Sequence, residues 1–258
     1  MKITKEYLLV LLTSTLLISS INLFAQKPDK EQQNPATTET WEPFPEKVFP
    51  EGTGSLPSDA IVLFNGPNLN AWEDAKGGKA RWPIIDGIAV VASDSGSIVT
   101  KRAFGDCQLH VEWRIAPDIT GEGQFRGNSG IILQGRYEIQ VLESFESQTY
   151  SNGQAGAIYK QHPPMVNASK KPGEWQTYDI NFIAPRFNEK GNVVIPARVT
   201  VLYNGVFIHN NAEIWGTEAF VGMPQYGMHN LKEPLFIQNH SNNHKNPVQY
   251  KNIWIREL

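Results

Sequence analysis

The sequence predicts an all-β sandwich or jelly roll. Three features lead there. Short runs that alternate apolar and polar residues recur along the chain, as strands with one buried face require. The dipeptides Asp86-Gly87 and Asn204-Gly205 fall inside two such regions and favour two-residue hairpin turns. Convincing helical periodicity is absent from the main body of the chain, where 144–152 and 213–220 read as loops or at most a turn of helix. Many short strands separated by Gly and Pro turns belong to sandwiches and jelly rolls rather than to α/β folds.

Residues 1–25 read as a secretory signal. Lys2 and Lys5 form a basic start, 7–18 is an apolar run of signal-core length, and Ala25 is a plausible last residue before cleavage. Leu23 departs from the small residue usual two positions earlier, and no cysteine follows the run to offer a lipid attachment point. The run is short for a bilayer span, so no stable membrane span is expected once the signal is removed. Residues 26–40 are polar and aperiodic, as a flexible linker would be. One domain is expected over 41–258, opening with an aromatic- and proline-rich stretch, 41–57, that should run extended across its body.

Strands are expected at 61–64, ahead of the turn Asn65-Gly66, then at 84–91 around Asp86-Gly87, at 98–100 and at 108–115. Two more follow at 130–134 and 136–142, joined at Gly135. Residues 174–184, 198–203, 206–209, 235–240 and 252–256 complete the set.

Composition excludes some functions. With charged residues at 19% and a net charge of −3, there is no basic field to hold nucleic acid. The single cysteine, Cys107, has no partner for an internal disulfide and sits in a strand-like run as a small hydrophobe. Export without disulfides is compatible with a bacterial periplasm, the expected location.

The segment 126–162 concentrates the chemistry. In 137–142 the alternation sets Tyr137, Ile139 and Val141 on one face and Glu138, Gln140 and Leu142 on the other. Such a polar face can simply be solvated, but Arg126, Asn128, Glu143, Lys160 and His162 crowd the same segment. Two other runs offer polar faces, His110/Glu112/Arg114 and Gln238/His240. Neighbouring antiparallel strands would bring all three together on one concave sheet. Each set also has a structural reading, as ion pairs or hydrogen-bonded strand residues. Of the scattered tryptophans most should be core, while one or two in a cleft, Trp175 among them, would suit stacking on a sugar ring. His240 and His244 are four apart but in a polar loop, poor spacing for zinc. Oxygen-rich clusters could hold a harder divalent cation, and the spacing does not decide it. No nucleophile elbow, phosphate loop or dinucleotide fingerprint occurs.

The stretches LFNGPNLNAW, GDCQLHVEWR, GNSGIILQGRYEIQVLES, GAIYKQHPPMVNASKKPGEWQTYDI, PARVTVLYNGVFIHNNAEI and PLFIQNHSNNHKNPVQYKNIWIREL, in this order, resemble the 3-keto-disaccharide hydrolase domain family over about 41–258. The resemblance implies a concanavalin A-like jelly roll that cleaves glycosides already oxidised to a ketone at sugar carbon 3. Two departures stand out. Asn239 and Ser241 flank His240 where the family commonly has an acid before the histidine, and Lys160 stands where a small residue is usual. Ketone-assisted elimination needs a base near C2, a donor or cation at the C3 oxygen and an acid for the leaving group. Glu138 and Glu112 are the candidate bases, and His240 a candidate base or acid. Gln140, Arg126, Asn128, Lys160, Gln238 and Trp175 are candidates for substrate binding, with a divalent cation as a possible Lewis acid. A non-catalytic sugar-binding module, or an ordinary glycosidase working through Glu112 and Glu138, are the rival readings.

Overall fold

The computed structural model describes residues 35–49, 56–240 and 248–258. The signal expected over 1–25, most of the linker, Ser241 and His244 lie outside the described residues. Residues 35–47 belong to a unit of their own, with a 3-10 turn at Pro35–Thr38 and the side chains of Trp41 and Phe44 exposed. From Val48 to Leu258 the chain forms a second unit. Among the described residues no helix is long and apolar enough to cross a membrane.

That second unit is an all-β, concanavalin A-like jelly-roll sandwich of antiparallel strands. Its strands are β1 (Ile61–Phe64), β2 (Trp72–Asp74), β3 (Ile84–Ile85), β4 (Ile88–Val90), β5 (Ile98–Phe104), β6 (Cys107–Ile115), β7 (Ser129–Leu133) and β8 (Tyr137–Val141). They continue with β9 (Gln176–Ile183), β10 (Arg186–Phe187), β11 (Val193–Ile195), β12 (Arg198–Tyr203), β13 (Val206–Glu213), β14 (Glu233–Ile237) and β15 (Val248–Glu257). A large sheet runs β13-β12-β9-β6-β15-β4-β3, with β1 also on β15; a smaller one runs β2-β5-β14-β7-β8; β10 and β11 pair separately.

The expected turns form for the expected reason. Asp86 and Gly87 have φ of 51° and 76°, and Asn204 and Gly205 have 52° and 80°, the left-handed pairs that a tight hairpin needs. Gln134 and Gly135, at 52° and 63°, are also left-handed, in a three-residue loop that joins Leu133 of β7 to Tyr137 of β8. The short strands β2, β10 and β11 were not expected; each has two or three residues, too few for alternation to register.

Alternation places the core. Leu109, Val111 and Trp113 of β6 and Tyr178, Ile180 and Phe182 of β9 point inward from the large sheet, and Ile131, Tyr137, Ile139 and Val141 from the small one, all essentially buried. Tyr137 meets Phe182 across the gap at 5.9 Å between ring centroids. The Tyr178 hydroxyl donates to the Gln140 carbonyl at 2.9 Å, and the Tyr250 hydroxyl to Ser129 Oγ at 2.7 Å, so the sheets are tied by hydrogen bonds as well as by packing. Cys107 is buried in this core, where loss of solvation pushes its thiol up to about 12.

The outward residues of β8 are not solvated. All five residues of that strand are buried. Residues 156–159 run along its open edge, with Gly156 N–H donating to the Gln140 carbonyl, Gln140 N–H to the Ala157 carbonyl and Tyr159 N–H to the Glu138 carbonyl. Glu138 and Gln140 therefore stand on the outer face of the small sheet beneath cover.

Candidate active site

Five of the nine residues singled out from the sequence come together. Asn128, Glu138, Gln140, Gln238 and His240 line one cleft of about 250 Å³ on the outer face of the small sheet. β8 supplies Glu138 and Gln140 at alternate positions, the residues before β7 supply Asn128, and the chain leaving β14 supplies Gln238 and His240. The Gln238 N–H donates to the Gly130 carbonyl at 2.9 Å, which sets that exit beside β7.

The sequence reading missed Glu218. It arrives on the loop after β13, whose base is closed by pairing of Thr217 with Gln225, and its N–H donates to the Arg136 carbonyl at 2.8 Å. Its carboxyl is in hydrogen-bonding contact with that of Glu138. Burial raises Glu138 well above the usual carboxylate range, and the charge and hydrogen bond of Glu218 raise it further. Burial likewise pushes Glu218 up to about 7, with the Glu138 hydrogen bond working the other way. Two carboxylates in one desolvated site cannot both ionise cheaply, so a charge on one makes ionising the other costlier. No local pattern in 213–220 could have announced this partner; only the fold brings it 80 positions along the chain to Glu138.

The floor of the cleft holds unused acceptors. Gln140 donates from Nε2 to Gln124 Oε1 at 3.0 Å, while its own Oε1 has no partner. Gln238 Oε1 and Glu218 Oε2 are likewise buried without a hydrogen bond. Asn128 donates to the Gln124 carbonyl at 2.9 Å. Buried acceptors left open in a concavity are complementary to a ligand rich in hydroxyl donors. Tyr159 and Phe220 add aromatic walls. Lys160 stands at the rim, its Nζ donating to the Phe220 carbonyl at 2.6 Å and lying 4.1 Å from the Phe220 ring centroid.

The remaining candidates are elsewhere, and the single concave sheet expected from three polar faces is corrected here. His110, Glu112 and Arg114 project from the outer face of the large sheet, because β6 turns its apolar residues toward the core. The core lies between Glu112 and Glu138. Glu112 accepts from Asn252 at 2.8 Å and pairs with Lys251 at 3.2 Å. Burial works against its charge, but these contacts outweigh it and lower the carboxyl. Trp175 is on that same face, with Arg114 4.7 Å and Lys251 4.3 Å from its ring centroid. Arg126 is engaged by its own chain. Its Nε donates to the buried Glu143 at 2.6 Å, and its Nη1 to the Ile119 carbonyl at 3.1 Å. Among the described residues no group of three or more His, Cys, Asp or Glu is placed to hold a metal ion.

Comparison with known proteins agrees with the fold. A crystal structure of a candidate glycosyl hydrolase from Parabacteroides distasonis is similar at 47% identity and a TM-score of 0.83, over 86% of this chain and 96% of that one. A second protein of that organism with the same description matches at 21% identity and a TM-score of 0.56, over 77% and 94% of the two chains, and shows a shared fold. None of the curated proteins matches. The profile of the 3-keto-alpha-glucoside-1,2-lyase-like domain matches residues 59–256, and the chain belongs to that family.

Proposed function

We propose that the chain is a carbohydrate-active enzyme that breaks the glycosidic bond of 3-keto-glycosides by ketone-assisted elimination. The observation that carries this reading is the buried Glu138–Glu218 carboxyl pair in a cleft lined by open amide oxygens. The family and the 47% identical glycosyl hydrolase relative support a role on glycosidic bonds.

The pair suits elimination better than direct displacement. Glycosidases that attack unoxidised sugars hold two carboxyl groups roughly 5–9 Å apart, across the bond they break. Here the two carboxyls touch, and Glu112 is behind the core. A ketone at C3, in contrast, acidifies the proton on C2, and one ionised carboxylate can remove it. The electrons of the C2–H bond form the C2=C3 bond and leave negative charge on the C3 oxygen. As that enolate collapses, C1=C2 forms and the C1–O bond breaks, the departing oxygen taking a proton. Water then adds hydroxyl at C1 and hydrogen at C2, giving the hydrolysed 3-keto sugar. The ionised member of the pair is the base, and its protonated partner is a donor to developing negative charge. Gln140, Gln238 and Asn128 orient ring hydroxyls, Lys160 stands at the rim, and His240 serves the leaving oxygen. A hard divalent cation would find oxygen ligands in Glu218, Gln140 and Gln238 and would act as a Lewis acid at the C3 oxygen.

The leader-like segment supports export to a periplasm as the setting, which fractionation of cells expressing the full chain tests. The activity is tested with the purified domain on methyl 3-keto-α-glucoside and 3-keto-trehalose beside their unoxidised parents. Cleavage of the keto sugars alone is expected. Cleavage of the parents overturns elimination in favour of an ordinary glycosidase, and binding without cleavage makes the protein a sugar-binding module.

A further inference from the structure

The cleft at Glu138 is one end of a longer trough. Strand register builds a single row of outward residues across the small sheet, because Glu138 is opposite Ile132, Ile132 opposite Phe236, Phe236 opposite Val99 and Val99 opposite Glu73. The row begins and ends on a carboxylate, and its middle, Ile132-Phe236-Val99, is apolar. Five strands at ordinary spacing span roughly 19 Å, longer than one sugar ring. Concavities lie along much of the row, with Glu138 in the first, Ile132 and Phe236 in the second and Glu73 in the last. The cleft shares Glu218, Gln238 and His240 with a hollow of about 330 Å³ floored by Ile132 and Phe236. Beside the row, at the strand ends, that hollow shares Ser97 and Asn239 with one of about 290 Å³, which has Arg81 in common with a groove of about 590 Å³ at β2.

We infer that this trough is an extended subsite for the leaving part of the substrate, which is an oligosaccharide of three or more rings. Phe236 is its specificity-determining platform. The inference rests on the proposed reaction only for where the oxidised ring sits. An apolar strip edged by hydroxyl and amide groups matches a sugar chain, whose ring C–H faces stack on aromatic surfaces while its hydroxyls seek hydrogen bonds at the edges. Phe236 is partly exposed at the centre of the row, one strand from Ile132 and two from Glu138. Arg81 and Lys101 at the far end offer donors to terminal hydroxyls.

The test is a length series. Methyl 3-keto-glucoside is compared with di-, tri- and tetrasaccharides of the malto and cello series, each oxidised at C3 of the non-reducing ring. In the better-cleaved series kcat/KM should rise at least about fivefold from the methyl glycoside to the disaccharide and about threefold again to the trisaccharide, binding beyond the reacting ring being spent in the transition state. Phe236→Ala should abolish the gain while leaving the methyl glycoside within about twofold. A flat length series, or a Phe236→Ala loss equal for all substrates, overturns the trough. Calorimetric binding of the unoxidised tetrasaccharides separates the two readings. If no keto sugar is cleaved yet Phe236→Ala weakens tetrasaccharide binding at least about fivefold, the reaction fails and the trough stands; equal binding by both proteins sinks the trough.

Discussion

Glu138 occupies the space that a side chain at Gly130 would need. A Cβ built at Gly130 would lie 2.2 Å from Glu138 Oε1 and 2.9 Å from its carboxyl carbon, and its backbone is not in the left-handed region. The glycine is there for room, and the carboxyl folds across β7 toward Glu218 because nothing projects from that position. Gly130→Ala should cost about 1–2 kcal/mol by overpacking and lower kcat/KM at least about tenfold by turning the carboxyl away. The stability loss should vanish in a Glu138→Ala background, as measured by urea unfolding of the double-mutant cycle. An undiminished penalty there would place the clash elsewhere.

The pair acts as a unit, so its members should not be additive. Glu138→Gln and Glu218→Gln are each expected to lower kcat at least about 100-fold on a 3-keto-glucoside. The double variant should be little worse than either single one. Steady-state kinetics on folded proteins checks this, and near-normal turnover by either single variant removes that residue from proton transfer.

Stability should carry the pair's signature in its pH dependence. Both carboxyls bind a proton more tightly when folded than when unfolded, Glu218 up to about 7 from an ordinary 4.5. The unfolded chain loses these protons first as pH rises, so the native state loses relative stability between about pH 4.5 and 7 and beyond, while below 4.5 the contribution is fully present. Glu218→Gln should therefore raise Tm relative to the parent by at least about 2 °C more at pH 8 than at pH 5. Activity should rise with pH through about 7 as the base ionises. A bound divalent cation would move that rise to lower pH and make activity sensitive to chelation, so the profile is measured with and without a chelator.

Arg126 should prove structural. Its partner Glu143 is buried and also accepts from the N–H groups of Phe145, Glu146 and Ser147. Arg126→Met is expected to cost about 3–5 kcal/mol, the range for stripping one partner from a buried pair, while the folded fraction keeps kcat within about threefold. Glu112→Gln, behind the core, should change kcat/KM less than about twofold. A large fall in either kcat would return that residue to the reaction.

Much of the fold was legible because strands write themselves in local alternation and their turns in Asn-Gly and Asp-Gly. Glu138 and Gln140 were legible for the same reason, as polar residues on an otherwise apolar strand. What alternation does not carry is which sheet a strand joins. His110, Glu112 and Arg114 alternate as cleanly as Glu138 and Gln140, yet β6 pairs with β9 and β15 while β8 pairs with β7. Trp175 and Arg126 lie outside the cleft for a similar reason, since composition does not distinguish a ring held by cations or an ion-paired guanidinium from a ligand contact. Glu218 was invisible because its environment is made by residues far away in sequence.

The two halves of the carboxyl pair are anchored differently. Glu138 is fixed in a fully buried strand of the small sheet, opposite Ile132, so altering it disturbs the scaffold. Glu218 hangs from a loop pinned at Thr217 and Gln225, outside the strands. A lineage could exchange that loop, or only its acid, and retain the sandwich, the hollow floor and Glu138. Such a descendant would still grip its sugar but would have lost its turnover. On the reaction proposed above, the border between a catalyst and a lectin in this architecture is the width of one side chain.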